Sequence, residues 1–399
     1  MPAETPPVRD HVHFLIVFLL ISFNLRMSFA AANPLLVFLM KDLGLDIADS
    51  SLFALLPVMI LGVAAPIGSR LTAFIRPRVL IIYALTLAMV GVVWRSYGGI
   101  TGLFGGTACI GLGLGITGSV ILGVVKEVFP KRSPEMMGAY TACISLGTAI
   151  GSGSADPIAI ALGGWQLGLL FWGLPLLLAT VLWAELTFAE PDRGKHHIVQ
   201  ARIRPLLRDR KAWMITLYYI TRVAGAWLLI VWIATLMRQR GLPLEEAGII
   251  LAINTAFMIP SSVLYLRLER TLGGRKPTII ISITTTIIAS SLLLNGPVNY
   301  WPLFTIFLGL GLGALFTLGM TLIVDSSADS ETTIALSGMS QGIGFIIGGL
   351  LAWASSLVMD LPHHHIWVSV LYASFSLVGL YFALQSTRPE LVDLRKLES

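Results

Sequence analysis

Arg26 and Arg222 each stand deep inside a long apolar run of this 399-residue chain. At a rise of about 1.5 Å per helical residue, both fall near the middle of a hydrocarbon layer about 30 Å thick. A charge at that depth costs roughly 2.5–3.5 kcal/mol on insertion scales. Two chemistries can justify it. Each guanidinium can snorkel or cap helix carbonyls at an interhelical contact. Alternatively the pair holds one small anion, each arginine offering a planar fork of donors. Asn33, seven residues after Arg26, shares its side of a continuous helix. Tyr218 and Tyr219, four and three residues before Arg222, flank it, either as pocket walls or as packing. Asn254 and Gln341 are polar groups in two further apolar runs, each suited to contact a substrate or a neighbouring helix.

Other chemistries lack their parts. Cys109 and Cys143 lie in apolar runs and form neither a disulfide framework nor a metal spacing. His363, His364 and His365 read as a polar loop at the outer surface rather than a metal site. The glycines at 105, 106, 111, 113, 115 and 118 look like a phosphate loop, but no Lys-Ser/Thr follows and no strand precedes. They read instead as small residues that let membrane helices approach. No nucleophile, base and orienting group occur in a plausible set. The expectation is therefore no enzyme, no cofactor and no metal.

The elements that must position these residues are membrane helices. The chain is 55% hydrophobic and only 12% charged, with a mean hydropathy of +0.82. A soluble domain carries about 25% charged residues. That excludes a soluble enzyme, a nucleic-acid-binding protein or a disordered chain. Apolar runs at approximately 12–40, 50–72, 79–97, 101–129, 135–161, 166–189, 212–237, 246–267, 277–295, 300–324, 332–359 and 366–386 predict twelve transmembrane helices. The first run is read as a permanent helix and not a signal peptide, because Glu4 and Asp10 sit where a basic flank belongs.

Lys and Arg set the orientation. Lys41, Arg95, Arg238 and Arg240 are assigned to outer segments and Arg26 and Arg222 to the membrane; all the others of the 27 fall on the opposite side. Both termini are therefore expected in the cytoplasm of a multi-pass cell (inner) membrane protein. The net charge of +5 is spent on anionic lipid headgroups, so no nucleic-acid partner is implied. The polar stretch Glu190–Lys211 divides the chain into halves 1–189 and 212–399 with a cytoplasmic linker 190–211. Ile203, Leu206 and Leu207 give that linker an apolar side for the membrane surface.

The halves repeat. Gly-Leu-Gly-Leu-Gly occurs at 111–115 and 309–313, Glu135 pairs with Glu331, and Arg26 pairs with Arg222, all at an offset of about 196–198 residues. The basic loop Arg70–Arg78 has its counterpart in Arg267–Lys276. This parallel repeat predicts an all-α membrane fold of two pseudo-symmetric six-helix halves.

The loop Leu268-Glu269-Arg270-Thr271-Leu272-Gly273-Gly274-Arg275-Lys276 resembles the cytoplasmic signature of the major facilitator superfamily, and the resemblance spans the chain. The first-half copy has Thr72 where the acid is expected. Asn24-Leu25-Arg26, with Pro34-Leu35-Leu36, and the segment Met339–Leu350, with Asp325 and Ser327 upstream, are similar to the cyanate and nitroimidazole transporter branch. Gly138, Gly147 and Gly151 have the spacing of the superfamily's exporter motif, but Ser152 replaces its proline. The resemblance implies an alternating-access transporter, expected to act as a monomer, with the first and seventh helices facing a central cavity. It brings Arg26 and Arg222 to one substrate and makes Glu269, Arg270 and Asp325 gating residues, Asp325 pairing with Arg270 or Arg275. The substrate is then a small anion or polar organic acid. A neutral nitroheterocycle or drug carried outward is the alternative, and a transporter-like receptor is the alternative of another class.

Overall fold

The protein is described by a computed structural model covering residues 8–189, 201–359 and 361–398. The first half comprises α1 (Val8–Ala30), α2 (Leu36–Leu43), α3 (Ile47–Leu71), α4 (Pro77–Tyr97), α5 (Gly99–Val128), α6 (Ser133–Ala161), α7 (Trp165–Phe171) and α8 (Gly173–Ala189). After the linker helix α9 (Ile203–Leu206), the second half comprises α10 (Arg210–Gln239), α11 (Leu244–Thr271), α12 (Arg275–Asn295), α13 (Trp301–Asp325), α14 (Ser330–Ala354) and α15 (His364–Ser386). A short α16 (Leu394–Glu398) ends it. Among the described residues, 10 helices are long and apolar enough to cross a membrane, α7 and α8 counting as one. The proline-bearing α3 and the more polar α6 complete the twelve spans.

Local chemistry explains where spans start and stop. Asp46 and Asp49 close a reciprocal capping box at the start of α3. Asp209 caps α10 through Ala212 N at 2.7 Å, and Asp329 caps α14 through Thr332 N at 2.8 Å. One boundary departs from expectation. The first apolar run is not one helix: α1 stops at Ala30, and turns lead through Ala31–Leu35 into α2. Pro34 has no N–H to give the Ala30 carbonyl, and it biases Asn33 away from the helical region. Arg26 therefore sits about one turn from the end of α1, not at the centre of a long helix.

The packing is doubled. In the first half α1 packs on α6, α3 and α4 on α5, and α4 and α1 on α8. In the second, α10 packs on α14, α11 and α12 on α13, and α12 and α10 on α15. Between halves α3 meets α14, and its counterpart α11 meets α6. Every pair has its partner under the repeat, as a pseudo-two-fold requires.

The linker's apolar side turns inward rather than to the membrane surface. Leu206 is 0% exposed and α9 packs on α3, α14 and α16, whereas Leu207 is exposed. Residues 190–200 of the expected linker lie outside the described residues. The segment before α16 joins this end through an isolated bridge: Val392 N donates to Ser326 O at 2.8 Å, and Ala328 N to Val392 O at 2.9 Å.

Candidate functional site

Helix α1 delivers Arg26 and α10 delivers Arg222 to the wall of one cavity between the halves. About 140 Å³ of it is open to the centres of water-sized molecules, enough for a small ligand with some water. Ser145 and Thr148 of α6, Asn254 and Thr255 of α11, Phe316 of α13 and Phe345 of α14 line it, with Trp227, Ile230 and Ile233 of α10. The lining runs from the level of Arg26 towards the end of the bundle away from the basic loops.

Aromatic faces hold the guanidinium groups. Arg222 Cζ lies 4.5 Å from the Tyr219 ring centre and 4.9 Å from that of Phe316. Arg26 Cζ lies 5.9 Å from that of Phe345. Such stacking fixes a planar cation without using its N–H donors. Among the described residues, neither arginine has an ion pair, and Arg26 has no hydrogen bond. Arg222 Nε and the amide nitrogen of Asn254 are buried without a partner. The hydroxyls face the other way: Ser145 donates to Thr141 O, Thr148 to Ile144 O and Thr255 to Leu251 O. The hydroxyl protons are thus spent on the backbone, and the free donors of the cavity are N–H groups carrying two positive charges, which suits an anion or a strong acceptor.

Three sequence-predicted site residues meet here: Arg26, Arg222 and Asn254. Four do not line the cavity. Asn33 is exposed in the turns after α1, because the helix on which it would share a side with Arg26 has ended. Tyr218 is buried and its hydroxyl donates to Leu315 O at 2.9 Å. Tyr219 lies behind Arg222 as a stacking platform, its hydroxyl buried and unpartnered. Gly344 leaves room for that ring, since a Cβ there would sit 2.3 Å from it. Gln341 bridges helices, its amide donating to Ser337 Oγ at 2.7 Å and to Gly118 O at 3.5 Å.

The basic end is closed beneath the cavity. Thr141 and Thr317 Oγ1 atoms meet at 2.7 Å across the halves, and Ser69 Oγ donates to Ile334 O at 2.8 Å. The expected gating residues sit further out. Asp325 pairs with Arg275 at 2.8 Å rather than with Arg270. Glu269 joins the same Arg275 at 3.2 Å, so this triad stays within the second half. Arg270 instead crosses to Glu135 of α6 at 2.8 Å.

Sequence reasoning missed several of these groups. Ser145 and Thr148, following Thr141 at helical spacing, formed a legible polar stripe on α6. Phe316 and Phe345 carried no signal, because an aromatic in an apolar run reads as packing. Arg95, assigned to the outer surface, is 0% exposed. It lies inside the third apolar run, and that placement was the available clue.

A sequence profile of the Major Facilitator Superfamily matches residues 18–349 and, a second time, 215–396. The cyanate transport protein CynX of Escherichia coli (strain K12) is 27% identical over 353 residues, covering 88% of this chain and 91% of that protein. The 2-nitroimidazole transporter of the same organism is 26% identical, covering 85% and 86%. An uncharacterized transporter of Bacillus subtilis (strain 168), YycB, is 24% identical, covering 86% and 85%. In fold, the chain resembles the proton:xylose symporter XylE, with a TM-score of 0.71 at 14% identity over 93% of this chain and 94% of that one. It also resembles the Major Facilitator Superfamily transporter FucP in the outward conformation, with a TM-score of 0.69 at 14% identity over 95% and 100%. With a profile match over most of its length and the doubled twelve-helix packing, this chain belongs to the Major Facilitator Superfamily, as a multi-pass membrane transporter and not an enzyme.

Proposed function

We propose that the protein carries a small anion, of the cyanate class or a small polar organic acid, bound between Arg26 and Arg222 and moved by alternating access. One observation carries this reading: two guanidinium groups line one cavity, and among the described residues no carboxylate pairs with either. An anion supplies the missing acceptor and neutralises the pair in a low-dielectric site, where charge-assisted hydrogen bonds are strong. The similarity to a protein named for cyanate transport supports the same class.

The access cycle follows from the closed basic end. Thr141–Thr317, Ser69–Ile334 and Glu135–Arg270 join the halves below the ligand, while the cavity extends the other way. This is the outward-facing arrangement if the basic end is cytoplasmic, as the distribution of Lys and Arg indicates. We take 1–189 and 212–399 as the moving halves, 190–211 as a cytoplasmic linker, a single chain as the working unit and the inner membrane as its place.

A second reading has its own observation. Phe316, Phe345 and Trp227 line the cavity, and a relative is named for 2-nitroimidazole. A neutral nitroheterocycle would stack on those rings and accept from the arginines through its nitro group.

The test is cyanate binding to purified protein, with cyanate flux into proteoliposomes. Saturable binding with flux that Arg26→Ala abolishes is the expected result. Binding without flux supports a receptor. Binding of 2-nitroimidazole but not cyanate replaces the anion by the neutral substrate.

A further inference from the structure

Arg95 lies near the end of α4, against α1, the helix that carries Arg26 to the cavity wall, and its side chain is fully buried. Its Nη1 donates to the carbonyl of Ser28 at 3.0 Å. That carbonyl needs a donor for a local reason. Ala32 N, which would continue the helix by bonding Ser28 O, turns back to Phe29 O at 3.1 Å instead. The turns before Pro34 thus leave Ser28 O among the orphan carbonyls of a helix C-terminus. A cation there also meets the negative end of the helix dipole.

The contact is built into a sealed junction of α1, α4, α5 and α8. A Cβ on Gly106 of α5 would lie 2.5 Å from Arg95 N, so only glycine lets α5 close over it. Asn24 of α1 donates to Pro175 O of α8 at 3.2 Å one turn below. Arg95 Nε and Nη2, and the Ser28 hydroxyl, are buried without partners. No carboxylate pairs with the guanidinium among the described residues. A lone buried charge is an expensive way to satisfy one carbonyl, so its position calls for more than packing.

Ser28 follows Arg26 by two residues, so the carbonyl that Arg95 holds lies within one helical turn of Arg26. Arg95 grips the backbone of the last turn of α1, and Arg26, just before that turn, lines the cavity. We propose that Arg95 is a positioning residue: by capping Ser28 O it fixes the broken end of α1 and thereby holds Arg26 at the ligand. For the ligand itself this rests on the anion reading above.

The test has two arms, so that failure of the anion reading and failure of this one are told apart. In the first, cyanate affinity is measured for wild type, Arg95→Met, Arg95→Lys, Arg26→Ala and the Arg95→Met/Arg26→Ala pair. Arg95→Met, which touches no ligand, should weaken binding about tenfold, as loss of a charge-assisted contact does. Arg95→Lys, which keeps one donor, should recover most of it. In the Arg26→Ala background Arg95→Met should cost nothing further. Unchanged affinity in Arg95→Met, or full additivity with Arg26→Ala, overturns the proposal.

The second arm needs no ligand. With Cys109 and Cys143 replaced by alanine, the rate at which a water-soluble thiol reagent labels an Arg26→Cys variant is compared with and without Arg95→Met. Freeing the end of α1 should raise that rate about fivefold or more, as local opening exposes it. An unchanged rate overturns the proposal even if Arg26→Ala has already shown that cyanate is not held by Arg26. If Arg95→Met does not fold, Arg95→Gln, two bonds too short for Ser28 O, makes the same comparisons.

Discussion

At the scale of single residues, the two cavity arginines differ in how they are held. Arg222 is clamped between the rings of Tyr219 and Phe316, whereas among the described residues Arg26 has one ring, that of Phe345, and depends on the end of α1 for its place. Removing either takes away a charge-assisted donor, worth about 1.5–3 kcal/mol. Arg26→Ala and Arg222→Ala should each lower cyanate affinity roughly 10- to 150-fold, at about 1.4 kcal/mol per decade. Arg26→Lys should recover only part of the loss, since a point charge cannot reproduce the planar fork. Isothermal titration measures all three. Normal binding by both alanine variants would end the anion reading. Arg26 and Arg222 stood out in the sequence by depth alone, because few residue types are so costly there. Their aromatic clamps were not, since no spacing rule joins Phe316 to a residue of another helix.

At the scale of elements, α6 shows how one glycine-rich helix divides its labour. A Cβ at Gly147 would lie 2.1 Å from the Phe23 carbonyl of α1, and one at Gly151 would lie 2.8 Å from that of Met27. Gly153, two residues on, has nothing within 4 Å. Gly147→Ala should therefore force α1 and α6 apart and destabilise the protein by about 1–3 kcal/mol, the usual range for overpacking. Gly153→Ala should be neutral or stabilising, as alanine is favoured over glycine in a helix by up to about 1 kcal/mol. Thermal unfolding in detergent compares them, and equal loss by both would mean that helix propensity, not close approach, governs the site. Spacing along α6 marked Gly147 and Gly151; only the neighbouring backbone shows that a side chain is barred there and free to stand at Gly153. The break after Ala30 is the converse case. Pro34 announced it locally, yet an unbroken apolar run outweighed that signal and misplaced Asn33.

At the scale of the whole molecule, magnitudes decide which contacts lock the basic end. The side chains of Arg270 and Glu135 are 73% and 40% exposed. An exposed pair contributes about 0–1 kcal/mol and is screened by salt. Glu135→Gln should move the balance toward the inward-open state less than about fivefold, and not at all in high salt. The buried Thr141–Thr317 bond is not screened, and a typical one contributes about 0.5–1.5 kcal/mol. Thr317→Val should shift the balance by about 2- to 12-fold at any salt concentration. Cysteine accessibility from the basic side reads both; a larger and salt-independent effect of Glu135→Gln would reverse their ranking. The direction of that opening depends on orientation. An activity reporter fused at Lys195, which lies outside the described residues, should be active in the cytoplasm, and periplasmic activity would invert the topology.

The sequence by itself determined the class of this protein. Twelve apolar runs, basic loops on alternate connections and a repeat at one offset are properties of the linear chain, because the bilayer acts on each span nearly independently. The pairing of arginines was likewise written in the repeat, Arg26 and Arg222 occupying equivalent places. Tertiary structure alone decided which polar groups share a cavity, because that depends on the rotation of each helix against neighbours far away in sequence. It sent Asn254 to the cavity and Gln341 to a helix contact, although both read alike in an apolar run. It gave Asp325 to Arg275 and Glu135 to Arg270, since ion pairs follow distance between helix ends. And it drew Arg95 out of the outer surface and into the core, because the carbonyl it satisfies is freed at the end of α1, on a helix far from Arg95 in sequence.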